Sequence, residues 1–200
     1  MKTSLMVMTL AVAGSAAFAQ SPAQTQFEAG QFGQVVATLG PQLANPATDP
    51  WNHFLAIQAY IRLEQPSAAA PSVAALTASE HPEWRLVGES IQALSEGNVG
   101  GAIDRAERAT QVNANHFAAH YQLGLAKARA EDWAGAAGAF ERALELNPTF
   151  AYAAYYAALS YSKVNRADKT AEYFERFMRM APSAPERPGV QSILRTLRGK

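Results

Sequence analysis

His116 and His120 are the pair whose type and spacing could do chemistry. Four residues apart at the start of a helical stretch, they could offer two imidazoles to one metal ion. A third ligand is missing nearby, because Glu131 and Asp132 stand at the far end of that stretch. Solvent-facing or helix-capping histidines are therefore expected, and no metal, cofactor or catalytic residue is assigned. The chain of 200 residues has no cysteine, which excludes disulfides, thiolate catalysis and cysteine-ligated zinc. It also lacks a Gly-x-Ser-x-Gly elbow, a phosphate-cradling glycine loop and a His-Glu-x-x-His pair. Carboxylate pairs such as Glu141 and Glu145 fall on polar helix faces. An enzyme or a metal-binding protein is thus the third reading, behind a binding scaffold and a self-assembling structural module.

The elements that would position any site are helices. Formal charge is balanced, 17 basic against 17 acidic side chains, so bulk electrostatics call for neither nucleic acid nor membrane. The balance is uneven along the chain: residues 163–200 carry +5 and residues 20–162 carry −6. A basic end of this kind could meet anionic lipid, an acidic partner or the acidic half of a second copy, so a homo-oligomer stays open. At the N-terminus, Lys2, the apolar run 5–12 and Ala17-Phe18-Ala19 read as a signal peptide over residues 1–19, with a mature start at Gln20. The run is too short to cross a bilayer, which takes ~20 residues. A periplasmic location is expected, with secretion as the alternative, and no stable membrane insertion.

Residues 20–26 read as a lead-in without fixed structure. Over residues 27–48 the apolar positions suggest a half-formed helical hairpin, broken at Gly40-Pro41. From residue 49 a period of 34 runs without a gap through four windows, 49–82, 83–116, 117–150 and 151–184. Small residues recur in fixed columns: Ala56, Ser90, Gly124 and Ala158 in the first helices, then Ala68, Ala102, Ala136 and Thr170 in the second. A third column holds Ala75, Ala109 and Ala143, with Phe177 as its exception. Such columns mark helical hairpins stacked into a solenoid, where small side chains let neighbouring helices approach. The first window is the weakest, its prolines delaying the second helix to about Ala70. Gly97, Gly100 and Gly101 predict a looser second hairpin. Residues 185–200 should form a last helix capping the stack, with Val190, Ile193, Leu194 and Leu197 on its apolar face.

The third window carries Leu123-Gly124, Ala136, Phe140, Ala143 and Pro148, and in those columns it resembles the tetratricopeptide repeat. It departs at Lys127, where the family usually has a large aromatic residue. The resemblance implies an all-α, right-handed superhelical stack of antiparallel helical hairpins (a TPR solenoid) that binds another protein or a peptide segment in its concave groove, without catalysis. Carried over, the groove would consist of Trp84, Val87 and Ile91 from the second window and Tyr121, Leu125 and Arg129 from the third. The fourth adds Tyr152, Tyr155, Leu159 and Lys163, and the first adds His53, Ile57, Tyr60 and Ile61. Each set independently keeps helical spacing. Exported proteins of this type serve as scaffolds in the bacterial cell envelope, which the resemblance makes the expected setting. The family's lysine and asparagine clamp for a chaperone's C-terminal carboxylates has no match here.

Overall fold

The computed structural model describes residues 21–45 and 47–199. The signal-peptide assignment, residues 1–19, lies outside the described residues. Eleven α-helices follow one another among the described residues: α1 (Pro22–Glu28), α2 (Phe32–Leu43), α3 (Pro50–Arg62), α4 (Ala70–Thr77), α5 (Pro82–Ser95), α6 (Val99–Val112), α7 (Phe117–Arg129), α8 (Trp133–Leu146), α9 (Ala151–Lys163), α10 (Ala167–Met180) and α11 (Arg187–Arg198). A 3-10 turn, Pro66–Ala69, leads into α4. Among the described residues no helix is long and apolar enough to cross a membrane.

Each helix from α5 to α10 packs on its sequence neighbours, giving a solenoid of hairpins. The turn inside each hairpin is made the same way. Glu64, Gly97, Glu131 and Asn165 all take the left-handed conformation, with φ of 57°, 78°, 62° and 58°. Side chains then cap two of the second helices: Asn98 accepts from the amide of Gly101, and Asp132 from that of Gly135, both at 2.9 Å. The glycines of the second window therefore do not loosen it. Gly97 supplies the left-handed turn, Gly101 leaves room for the Asn98 cap, and α5 and α6 both reach 14 residues.

The small-residue column of the first helices is buried throughout, at Ala56, Ser90, Gly124 and Ala158. A methyl group on Gly124 would stand 2.7 Å from Cε1 of Phe140, so the glycine sets how closely α7 meets α8. The columns of the second helices hold in the last three windows and fail in the first. Ala68 is exposed and Ala75 half-exposed, while Ala69 and Leu76, one residue later, are buried. The cause is one extra residue between the small column of α3 and the turn that follows it. Eight positions separate Ala56 from Glu64, against seven from Ser90 to Gly97, Gly124 to Glu131 and Ala158 to Asn165. The short α4 absorbs the insertion, so the 34-residue register returns by α5.

Two further expectations are corrected at the N-terminus. Residues 22–26, part of the lead-in read as structureless, belong to α1, which starts with Pro22 and is capped by Ser21 accepting from the Gln24 amide. Its Phe27 is buried, which supplies the stabilisation that such a short helix cannot find alone. The chain breaks at Gly30, left-handed at φ 73°, and not at Gly40-Pro41. Pro41 sits in the last turn of α2, where it costs one backbone hydrogen bond and leaves the helix running to Leu43. At the other end α11 covers α10 through Val190 and Leu194, whereas Ile193 stays 39 % exposed.

Candidate functional site

The groove residues named from the sequence meet different fates. Val87, Ile91, Tyr121 and Tyr152 are buried, Trp84, Leu125, Tyr155 and Leu159 are half-buried, and Arg129 and Lys163 are exposed. The face shared by α5, α7 and α9 is therefore not an open stripe, and the expectation of one is corrected. The chain itself covers it. Seven consecutive residues of α3, 53–59, are buried, so this helix is enclosed all round, unlike a helix that shows one face to a stack.

Its contacts explain why. Trp51 packs against Phe117 and Phe150 with ring centroids 5.7 and 5.9 Å away. Phe54 reaches both Trp84 and Tyr121 at 5.9 Å. At the far end of the helix, the Arg62 guanidinium lies 4.1 Å from the centroid of the Tyr152 ring and pairs with Glu186 at 2.5 Å. Through these side chains α3 reaches α5, α7 and α9, while its backbone packs on α2 and α4. From α1, Phe27 stacks on Phe150 and meets Tyr152 edge-on.

Electrostatics fit this enclosure. The Tyr152 hydroxyl donates to Glu186 at 3.0 Å, and burial pushes the Tyr152, Tyr155 and Tyr156 hydroxyls up, so all three stay neutral. Burial alone would lower the Arg62 pKa. The surrounding tyrosines and Glu186 more than offset that, and Arg62 remains charged. Neither Arg62 nor Glu186 was signalled by the sequence, because no periodicity couples residues that far apart in the chain.

Beside α3 an open cleft of about 740 Å³ remains, walled by α3, α4, α5 and α7. Ile57, Ile91 and Leu125, at matching positions of three successive windows, share it with the half-exposed Ile61 and with Val73. Among the described residues no ionisable side chain lines it. The amide of Gln58 lies at its edge, 6 % exposed, with Nε2 buried and without a hydrogen-bond partner among the described residues. Gln122 is tied down instead, donating to Ser90 Oγ at 3.2 Å, while Ser90 donates to the Ala102 carbonyl.

Comparison with known proteins bears on what this stack is. The family model described as tetratricopeptide repeat matches residues 117–150. In fold the chain is similar to TTC0263, a thermophilic TPR protein of Thermus thermophilus, with a TM-score of 0.61 and 18 % identity over 86 % of this chain and 95 % of that one. One window of the stack is thus a match to the tetratricopeptide repeat, and the chain as a whole shares the fold of solved TPR proteins. It is also similar to the IFIT1 monomeric mutant with Gppp-AAAA, with a TM-score of 0.52 and 18 % identity over 76 % of this chain. It spans only 36 % of that longer protein. No curated protein matches the sequence.

The rest of the first-helix face divides at Arg62. Beyond it Tyr155 and Leu159 line a smaller cleft of about 280 Å³ with Phe174, Val190 and Ile193, against Pro185 and Glu186. Lys163 does not reach either cleft, and its ammonium stands 5.5 Å from the Trp133 ring. The histidine pair is split as well. His116 packs edge-on against Trp84 at 4.4 Å, with both nitrogens buried and unpartnered, and burial lowers its pKa to about 4. His120 Nε2 instead lies 3.0 Å from the Ala114 carbonyl. Among the described residues no three His, Asp or Glu side chains converge as metal ligands would. The basic end is partly neutralised by its own neighbours, through Arg166–Asp168, Lys169–Glu172 and Arg198–Glu175.

Proposed function

We propose that this chain is a non-catalytic scaffold of the bacterial cell envelope that holds a segment of a partner polypeptide against the first-helix face. The observation that carries the reading is the cleft between α3, α4, α5 and α7. It is large enough for several side chains, it is apolar, and three of its residues repeat at one position of successive windows. Repeat solenoids bind through such extended inner surfaces, and tetratricopeptide repeats are in general interaction modules rather than catalysts. The envelope setting rests on the leader-like segment with Lys2 and Ala17-Phe18-Ala19.

A photoreactive residue at Leu125, introduced into the chain in its native cells, tests both parts. One dominant protein adduct is expected, recovered from the periplasmic fraction, on a chain whose N-terminus is Gln20. Ile91→Glu, which puts a charge into the apolar cleft, should remove the adduct. Bands identical to those from a photoreactive residue at the exposed Gln111 would show that the cleft has no specific partner.

A further inference from the structure

The cleft is the part of the first-helix face that α3 leaves uncovered. The covered part also carries information, because α3 sits there as a ligand would. We propose that α3 is the resident occupant of a helix-binding groove and that the partner's docking element is a helix of the same kind. That helix would carry two aromatic side chains three residues apart and an arginine eight residues after the second, and it would displace α3. The proposal rests on the reading that partners bind this face.

Three observations carry it. First, the groove grips α3 through separable anchors: Trp51 on Phe117 and Phe150, Phe54 between Trp84 and Tyr121, and Arg62 on Tyr152 and Glu186. Anchors spaced along one helix are how amphipathic helices are read by grooves generally. Second, α3 is out of step with its own hairpin. The one-residue insertion follows its small column, and it is followed by a 3-10 turn and the eight-residue α4, whereas α6, α8 and α10 each have 14 residues. Its hairpin is thus closed less extensively than those of α5–α6, α7–α8 and α9–α10.

Third, charge selects the occupant. Glu186 approaches from the segment before α11, between Tyr152 and Arg62, at a face otherwise made of aromatic and aliphatic side chains. A carboxylate enclosed in that way calls for a cation, and a guanidinium that also stacks on Tyr152 satisfies both surfaces. Any helix that replaces α3 must therefore bring an arginine of its own.

The test uses a fluorescein-labelled synthetic peptide of residues 49–63 and the full mature chain, read by fluorescence anisotropy. Arg62→Ala in the chain loosens α3 and frees Glu186. This variant should bind the peptide at least ten-fold more tightly than the wild-type chain. Replacing Phe54 or Arg62 by alanine within the peptide should weaken binding at least ten-fold. Equal affinity for the two chains, indifference to the peptide's arginine, or no binding to either chain would overturn the proposal. Dimerisation of the Arg62→Ala chain with loss of peptide binding would also overturn it, by assigning the groove to a second copy. Should Arg62→Ala fail to fold, hydrogen exchange on the wild-type chain decides. Saturating peptide should accelerate exchange at residues 51–62, and unchanged exchange overturns the displacement. A peptide that fails while the Leu125 adduct survives leaves the cleft as the partner site with α3 in place. Loss of both removes the face itself from partner binding.

Discussion

α3 and α7 are both first helices of a window and both 13 residues long. α7 behaves as the period requires. It lays its small column, with Gly124, against α8 and offers Tyr121 and Leu125 to the inner face. α3 instead turns into that inner face and is enclosed by it. The difference teaches that the repeat specifies the stack but not what lies in its hollow. Stacking depends on small residues at fixed spacing, which recur. The filling depends on Trp51, Phe54 and Arg62, each of which occurs once.

The largest effect expected from attacking this comparison is at Tyr121, where the two helices meet through Phe54. Tyr121 is fully buried, so Tyr121→Ala should cost about 3–5 kcal/mol in chemical denaturation. Tyr155→Ala, at a half-buried ring facing the smaller cleft, should cost about 1–2 kcal/mol. Equal losses would mean that α3 does not occlude the centre of the face.

Close approach of the helices gives the next effect. A methyl group at Gly88 would stand 2.7 Å from Leu76 Cβ and 2.8 Å from the Thr77 amide nitrogen, and neither atom can swing away. At Gly124 the obstruction is the Phe140 ring, which can tilt. Gly88→Ala should therefore fall at the upper end of the ~1–3 kcal/mol typical of overpacking, and Gly124→Ala at the lower end. The reverse order in urea denaturation would place the tighter contact in the third window rather than between α4 and α5.

The smallest effect is on pH dependence. Burial holds the His116 pKa at about 4 against 6.5 for the unfolded chain, so the unfolded state takes up the proton first. The contribution is complete above pH 6.5 and is lost progressively as pH falls from 6.5 towards 4. Burial also lowers His53 and His120, with the same sign. His116→Phe keeps the edge-on contact with Trp84, removes two buried unpartnered nitrogens and should flatten the decline over that interval. An unchanged slope in stability measured from pH 7 to pH 4 would assign the dependence to the other two histidines.

Much of the stack was legible in the sequence because its causes are local and repeat. The windows, the delayed start of α4 and the final helix α11 all follow from spacing, prolines and apolar periodicity. The insertion after the small column of α3 was hidden, because a short α4 restores the 34-residue phase and a reading by period alone sees no gap. Helix α1 was missed since its stability comes from Phe27 meeting Phe150 and Tyr152, over a hundred residues later in the chain. The site was legible only in part. Ile91 and Leu125 do line the cleft, but Tyr121 and Tyr152 have the same residue types as groove anchors elsewhere and are covered here. Spacing shows which way a side chain points along a helix, and it does not show what already lies opposite.

The contact of Arg62 with Glu186 also bears on how the chain reaches its fold. Hairpins joined only to their neighbours can form independently, quickly and in any order, so a stack of them frays from its ends. A bond between positions 62 and 186 closes a loop spanning most of the molecule, and its entropy cost falls on the last step. The chain should therefore assemble in two stages, a fast zipping of α5 to α10 and a slower seating of both ends. Once seated, α3 and the segment before α11 hold each other, and damage at one end is felt at the other.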